Sequence, residues 1–291
     1  MEPLSTIGVA GAGVMGSEVA QVFASGGHPV VLVDVDREAL VRARAVVERN
    51  LRFGKLLGSR PAPTASGKAL DLITFTDDYG LFRGVDFVVE NVTEDWETKR
   101  EVYEEIDPLC PAHCVFAVNT SVISIDRVAA VTARPDLVIG THFMNPVSLK
   151  PVVEVVRGPR TSPDTIETTR QLLAGIGKEC VVVNDSPGFV TNRILMLTVN
   201  EAVFTLQEEI TSAENIDRLF KTCFGHAMGP LETADLIGLD TVLRSIELLH
   251  EQFGDSKYRP CPLLAEMVDA GLRGRKSGEG FYRYPVESHQ S

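Results

Sequence analysis

The chain has 291 residues, 44% apolar and 23% charged, which is enough for one large or two modest globular domains. A net charge of −12 argues against general nucleic-acid binding, and no charged-then-apolar leader or bilayer-length apolar run is present, so no nucleic acid or membrane partner and a cytoplasmic location are expected. Five cysteines form no dense, even framework, and Cys110-Pro111-Ala112-His113-Cys114 lacks a second ligand pair at zinc-site spacing, so reduced thiols and no metal are expected.

The first predicted element is an apolar run from Thr6 that leads into Gly11-Ala12-Gly13-Val14-Met15-Gly16 and then into helix-favouring residues. In a G-x-G-x-x-G turn each glycine has a separate task. Gly11 permits the tight turn, Gly13 lets a pyrophosphate approach the backbone, and Gly16 lets helix and strand pack closely. The next apolar run, Pro29 to Val33, ends in Asp34, 18 residues past Gly16. An acid there accepts hydrogen bonds from a ribose 2′-hydroxyl and repels a 2′-phosphate, which predicts NAD over NADP.

From Arg37 to about Leu57, apolar Leu40, Ala43, Val47 and Leu51 recur at helical spacing, and residues 59–67 read as a loop. Arg37 to Lys68 holds eight basic residues against two acids, a net +6 in an acidic chain. That is either a solvated helix face or a landing site for an anionic partner. Strands are then predicted at Leu72–Phe75, Phe87–Glu90, Cys114–Val118 and Leu137–Gly140, with a charged helix from about Asp95 to Leu109. Strands alternating with helices imply a doubly wound, mostly parallel sheet whose ligands sit beyond the strand carboxyl ends. Asp34, Glu94, Asn119, Ser121 and His142 lie at such ends.

Further strands are predicted at Pro151–Val156 and Glu179–Val183, around a helix capped near Ser162-Pro163. A turn cluster at Asp185 to Phe189 marks a boundary near 186, after which the pattern is helical to about Gly271. The domains expected are therefore 1–186 and 187–291. Apolar rows such as Leu195, Val199, Val203 and Leu206 fit either a core or a dimer interface. His142 and Glu154 stand out chemically. If their two runs form an antiparallel hairpin centred near Ser148, the two side chains face each other. A carboxylate beside an imidazole fixes its tautomer and supports proton uptake, as alcohol oxidation by a nicotinamide requires.

Beyond these readings, the chain resembles the L-3-hydroxyacyl-CoA dehydrogenase family over residues 5–284. The likeness is carried by the 11–16 turn, Glu90 to Glu94 with Lys99, Asn119-Thr120-Ser121, His142 to Pro146, Val153-Glu154-Val155, Ser186 to Arg193, Met228-Gly229-Pro230, Gly238-Leu239-Asp240 and Gly274 to Tyr282. The resemblance implies a Rossmann-type N-terminal domain, a helical C-terminal domain that mediates homodimerisation, and NAD-linked oxidation of a 3-hydroxyacyl thioester. It implies His142 as general base, Glu154 as its orienting partner, and Ser121 and Asn192 as hydrogen-bonding the reacting hydroxyl and the thioester end. Glu94, Lys99, Asn119, Ser121, Asn145 and Lys276 would line the cofactor side. Without the family, Lys99 and Lys276 would read as surface lysines and Asn192 as a helix N-cap.

The sequence departs from the family at Val122, at Met144, and most of all at Arg52 to Pro61, where serine and lysine contacts to CoA are usual. Glu90 to Trp96, His142 to Val147 and Met196 to Ala202 look more like members that act on acyl groups held by an acyl carrier protein in polyketide extender-unit pathways. Those members oxidise a glyceryl group. The +6 segment suits an acidic carrier protein or CoA phosphates equally. The expectation is therefore a dehydrogenase of a short acyl thioester on a carrier protein. The alternatives are a 3-hydroxybutyryl-CoA dehydrogenase of primary metabolism and a non-catalytic, crystallin-like NAD-binding protein.

Overall fold

The apolar runs read from the sequence become eight strands of one sheet in the computed structural model, which describes residues 5–53, 66–121 and 123–285. They are β1 (Ile7–Ala10), β2 (Val30–Val33), β3 (Ile73–Thr76), β4 (Phe87–Glu90), β5 (Val115–Val118), β6 (Val138–His142), β7 (Val152–Arg157) and β8 (Glu179–Asn184). The order is β3-β2-β1-β4-β5-β6-β7-β8. Strands β1 to β6 run parallel, β7 turns back antiparallel on β6, and β8 pairs parallel with β7. Strands β1, β4 and β5 are buried at every residue, because a parallel sheet covered on both faces needs apolar side chains on both. The order reverses between β1 and β4, the point at which doubly wound sheets bind ligands.

The first helices are α1 (Val14–Ser25), α2 (Arg37–Phe53), α3 (Ser66–Asp71), α4 (Trp96–Ile106), α5 (Ile125–Ala129) and α6 (Pro163–Gly175). Helix α2 buries Leu40, Ala43 and Val47, the row its spacing predicts. Helix α4 starts where the Asp95 carboxylate accepts the Thr98 N–H at 2.9 Å, and α6 where the Ser162 hydroxyl accepts the Thr165 N–H at 3.1 Å with Pro163 next. Of the loop expected at 59–67, Ser66 and Gly67 belong to α3 instead. Residues 54–65, which hold most of the rewritten segment and its Lys55 and Arg60, lie outside the described residues, as does Val122.

The chain divides into two compact units, Met1–Ser186 and Pro187–Ser291. The second is built from α7 (Thr191–Gln207), α8 (Ala213–Phe224), α9 (Pro230–Ile237), α10 (Leu239–Phe253) and α11 (Pro262–Asp269). Two buried carboxylates close it. Asp217 on α8 accepts the Leu231 and Glu232 N–H groups that open α9, and Asp235 on α9 accepts the Phe281 and Tyr282 N–H groups. Val199 and Val203 are fully buried, so that apolar row is core. Exposed large apolar side chains of this unit are Val190, Ile194 on α7, Leu236 on α9, and Ile210, Leu219 and Phe224 on and just before α8. No helix of the described residues is long and apolar enough to cross a membrane.

Candidate active site

At the switch point the three glycines prove to have three physical roles. Gly11 has φ +94°, and a Cβ there would meet the Asn91 carbonyl oxygen at 2.7 Å. A Cβ on Gly16 would overlap the Gly11 carbonyl oxygen at 1.8 Å, so helix and turn pack as closely as backbone allows. A Cβ on Gly13 would meet nothing within 4 Å. Gly13 therefore keeps open the space in front of α1, whose N-terminus has no side-chain cap and no acid in its first turn. Val14 is exposed there and Met15 half-buried. Beside it, Asp34 accepts the Ala12 N–H at 2.7 Å on one oxygen and the Asp36 N–H at 2.9 Å on the other. A carboxylate has further lone pairs on both oxygens for a ribose diol. An uncapped helix end, an open Gly13 and a fixed acid after β2 together fit a dinucleotide.

The hairpin has the register its spacing predicts, with His142 opposite Glu154. The imidazole Nδ1 lies 3.0 Å from Glu154 Oε2, and its Nε2 lies 3.1 Å from the Ser121 hydroxyl. An ionised carboxylate only accepts, so Nδ1 carries the proton and Nε2 is left as an acceptor towards Ser121. Both members of the pair are about 95% buried, which strengthens the contact and holds the ring in one orientation.

Ser121 is held from behind. Glu94 Oε1 accepts the Ser121 N–H at 3.0 Å and the Thr120 hydroxyl, and Thr120 Oγ1 accepts the Ile123 N–H at 2.9 Å. Asp185 then caps α5, accepting from the Ser124 hydroxyl at 2.7 Å and the Ile125 N–H at 2.9 Å. The segment carrying Ser121 is thus fixed at both ends.

Two residues expected to line the cofactor side have a different position. Lys99 is neither a surface lysine nor open to a ligand. It has no exposed surface, and its Nζ lies between the Glu90 oxygens at 2.8 and 2.9 Å, with Glu94 at 3.7 Å and the Asn119 carbonyl at 3.4 Å. Burial pushes the Glu90 carboxyl up, and Lys99 opposes that rise. Asn119 ties strand ends together, donating to Asn91 Oδ1 at 2.6 Å and accepting the Phe143 N–H at 3.2 Å. Asn145 is exposed in the loop after His142.

Asn192 and Lys276 belong to the second unit. Asn192 is not a cap, because α7 already begins at Thr191; it is half-buried in the first turn. Lys276 pairs with Asp240, and Gly238 at φ +103° packs against its side chain, since a Cβ there would meet Nζ at 2.7 Å. The Gly238-Leu239-Asp240 and 274–282 motifs therefore meet around one lysine.

Glu90 was missed as more than a strand residue. Its own signal was present, since an acid ends an otherwise apolar run, whereas the buried face of Lys99, Tyr103 and Ile106 that meets it is visible only in the structure.

Comparison with known proteins places these features in one lineage. Residues 6–186 match the family model described as 3-hydroxyacyl-CoA dehydrogenase, NAD binding domain, and residues 188–284 match that family's C-terminal domain. The chain is 45% identical over 277 residues to a Deinococcus radiodurans protein named probable 3-hydroxybutyryl-CoA dehydrogenase, covering 95% of this chain and 99% of that one. It is 43% identical over 283 residues to the 3-hydroxybutyryl-CoA dehydrogenase of Bradyrhizobium diazoefficiens, covering 97% and 96%. Among solved structures, the (S)-3-hydroxybutyryl-CoA dehydrogenase of Ralstonia eutropha superposes with a TM-score of 0.91 at 41% identity, covering 97% of this chain and 99% of that one.

Proposed function

The chain belongs to the 3-hydroxyacyl-CoA dehydrogenase family, and from that premise we propose that it oxidises the 3-hydroxyl of a short 3-hydroxyacyl-CoA, with 3-hydroxybutyryl-CoA as the substrate class. The observation that carries the reading is the line Ser121–His142–Glu154 at the carboxyl edge of the sheet that bears the glycine turn. NAD, when bound, supplies the hydride acceptor, and Gly11 to Gly16 with Asp34 would hold it. His142 Nε2 takes the hydroxyl proton as the C3 hydride departs, so one alcohol gives one ketone, one proton and one hydride. Glu154 keeps the proton on Nδ1 and stabilises the imidazolium that forms. Ser121 orients the reacting oxygen through its hydroxyl. The roles of Asn192, Asn145 and Lys276 rest on the family resemblance.

The carrier-protein thioester expected from motif details finds no support among the named relatives, whose names are those of CoA-ester enzymes. Steady-state assays with matched 3-hydroxybutyryl-CoA and 3-hydroxybutyryl- and glyceryl-carrier-protein substrates decide the matter. The expected result is preference for the CoA ester; preference for either carrier-protein substrate would reverse the assignment. Cofactor titration is expected to favour NAD over NADP, and tighter NADP binding would remove the role given to Asp34. A homodimer through the second unit is supported by exposed Ile210, Leu219 and Phe224. Sedimentation as a monomer at micromolar concentration would refute it.

A further inference from the structure

The loop between β6 and β7 carries Asn145 and joins His142 to Glu154, yet its tip is held by charges that the reaction does not use. Val147 sits in this loop and is only 1% exposed. Its N–H donates to the Glu18 carboxylate on α1, and its carbonyl accepts from Lys178 Nζ, at the residue before β8. The same Nζ donates to the Lys150 carbonyl at 2.6 Å. The Pro146 carbonyl accepts the Leu149 and Lys150 N–H groups at 3.1 and 3.2 Å, so the gripped residue lies inside a tight turn.

The arrangement is chemically expensive for a loop tether. Buried backbone groups need partners, but neutral ones suffice. Here both partners are ionisable, and Lys178 is only 7% exposed. Burial pushes the Glu18 carboxyl up, while the Val147 N–H and the Lys178 charge oppose the rise. Glu18 also lies one turn into the helix whose N-terminus faces the open space at Gly13, where a second negative charge is electrostatically unfavourable to a pyrophosphate. Charge-assisted hydrogen bonds are the strong, directional kind, which suits a contact whose task is to fix geometry.

We propose that Glu18 and Lys178 are positioning residues for the dehydrogenation, clamping Val147 so that the dinucleotide-binding helix and the His142–Glu154 hairpin are held in one register. The proposal rests on the reaction assigned above. It explains why an acid follows so soon after the glycine motif, and why a lysine is buried at the start of an edge strand that has no catalytic residue. Misplacement of reacting groups by about 1 Å costs about 10²-fold in rate, so a loosened loop acts on turnover without touching substrate.

The test uses the full chain with Glu18→Ala, Glu18→Gln and Lys178→Met, measured by NADH fluorescence titration and by steady-state oxidation of 3-hydroxybutyryl-CoA, with circular dichroism to establish folding at the assay temperature. Glu18→Ala is expected to lower kcat about 10-fold and weaken NADH binding, while KM for the thioester changes less than about twofold. Simple removal of a negative charge near the pyrophosphate would tighten NADH binding, so the sign separates clamp from electrostatics. Glu18→Gln keeps an acceptor for the Val147 N–H and is expected to recover most of the loss. A kcat and an NADH affinity within twofold of the parent in folded Glu18→Ala, or NADH binding that tightens, would overturn the proposal. If Glu18→Ala does not fold, Lys178→Met is read by turnover alone, because loss of a positive charge weakens NADH binding by electrostatics as well: a fall in kcat of about 10-fold with the thioester KM within about twofold is expected, and a kcat within twofold of the parent in the folded variant would overturn the proposal. If the parent oxidises no thioester, the assigned reaction fails, while weaker NADH binding by folded Glu18→Ala still supports the clamp.

Discussion

Two buried acid–base pairs stand at the carboxyl edge of the same sheet, and they differ in what surrounds the base. Lys99 has no exposed surface, and its ammonium is enclosed by Glu90, Glu94 and the Asn119 carbonyl. His142 is almost as buried, but only one ring nitrogen faces its carboxylate, and the other points to the hydroxyl of Ser121. A lysine whose donors are enclosed is a structural cation. An imidazole fixed at one nitrogen and presenting the other to a hydroxyl is arranged to move a proton. The two are also joined in series, because Glu94, beside Lys99, holds the backbone of Ser121. The enclosed pair supports the strand ends on which the reactive pair works.

The sharpest way to break the comparison is His142→Ala. It is expected to lower kcat by about 10³–10⁴-fold while NADH binding, followed by fluorescence titration, stays near the parent value. Lys99→Met should do the opposite, acting first on stability. Removing one member of a buried pair leaves an uncompensated charge and costs about 3–5 kcal/mol, measurable by urea unfolding. The sign of its pH dependence follows from Glu90. Burial already raises that carboxyl above its ordinary 4.5, and without Lys99 it rises further in the folded state only. The folded state then binds the proton more tightly than the unfolded one, so stability falls as pH rises above about 4.5 and returns as pH is lowered from neutral. Equal destabilisation of Lys99→Met at pH 5 and pH 7.5 would mean that Glu90 is not the charge left behind.

These two pairs were unequally legible in the sequence. His142 and Glu154 could be paired because strand register has a period of two and the intervening loop has a centre, so counting residues sufficed. The strands and the glycine turn were legible for a similar reason: short apolar runs bounded by turn residues have few other uses. Lys99 was not. It lies in Trp-Glu-Thr-Lys-Arg-Glu, a stretch whose composition describes a solvated helix, and only the long-range contact with the end of β4 inverts that reading. Glu18 and Lys178 were illegible because their shared partner is backbone, 129 and 31 residues away respectively, and backbone groups leave no pattern in a sequence. The 195–206 row was ambiguous between core and interface because helical spacing shows that a face is apolar, not what covers it.

A milder perturbation separates orientation from chemistry within the reactive pair. Glu154→Gln keeps an oxygen to accept the Nδ1 proton but removes the charge that stabilises the imidazolium. A loss in kcat of about 10²-fold is expected, smaller than that of His142→Ala, with the unfolding midpoint little changed. A loss equal to that of His142→Ala would mean that the ring had changed tautomer or orientation, and a loss under about threefold would mean that the carboxylate is ornamental to proton transfer.

The smallest expected effect belongs to the double variant Glu90→Gln, Lys99→Met, and it asks whether the enclosed pair is needed as charge or only as filled space. The amide oxygen introduced by Glu90→Gln would still accept the Val92 N–H, which now reaches Glu90 Oε1 at 2.7 Å, and the methionine would fill most of the lysine stem's volume. With both fully buried charges gone, the only ion that loses a partner is Glu94, whose side chain is 38% exposed and solvated, so the stability cost should fall to about 1 kcal/mol, well below that of Lys99→Met alone. Because the two sites are in contact, the energies of the single variants will not add, and the double-mutant cycle reads their coupling directly. Activity decides the remainder. If kcat stays within about threefold, Glu94 and the Ser121 backbone need only a packed floor beneath them. A much larger loss, in a protein of near-parent stability, would show that the Lys99 charge itself sets the position of Glu94 and, through it, of the hydroxyl facing His142.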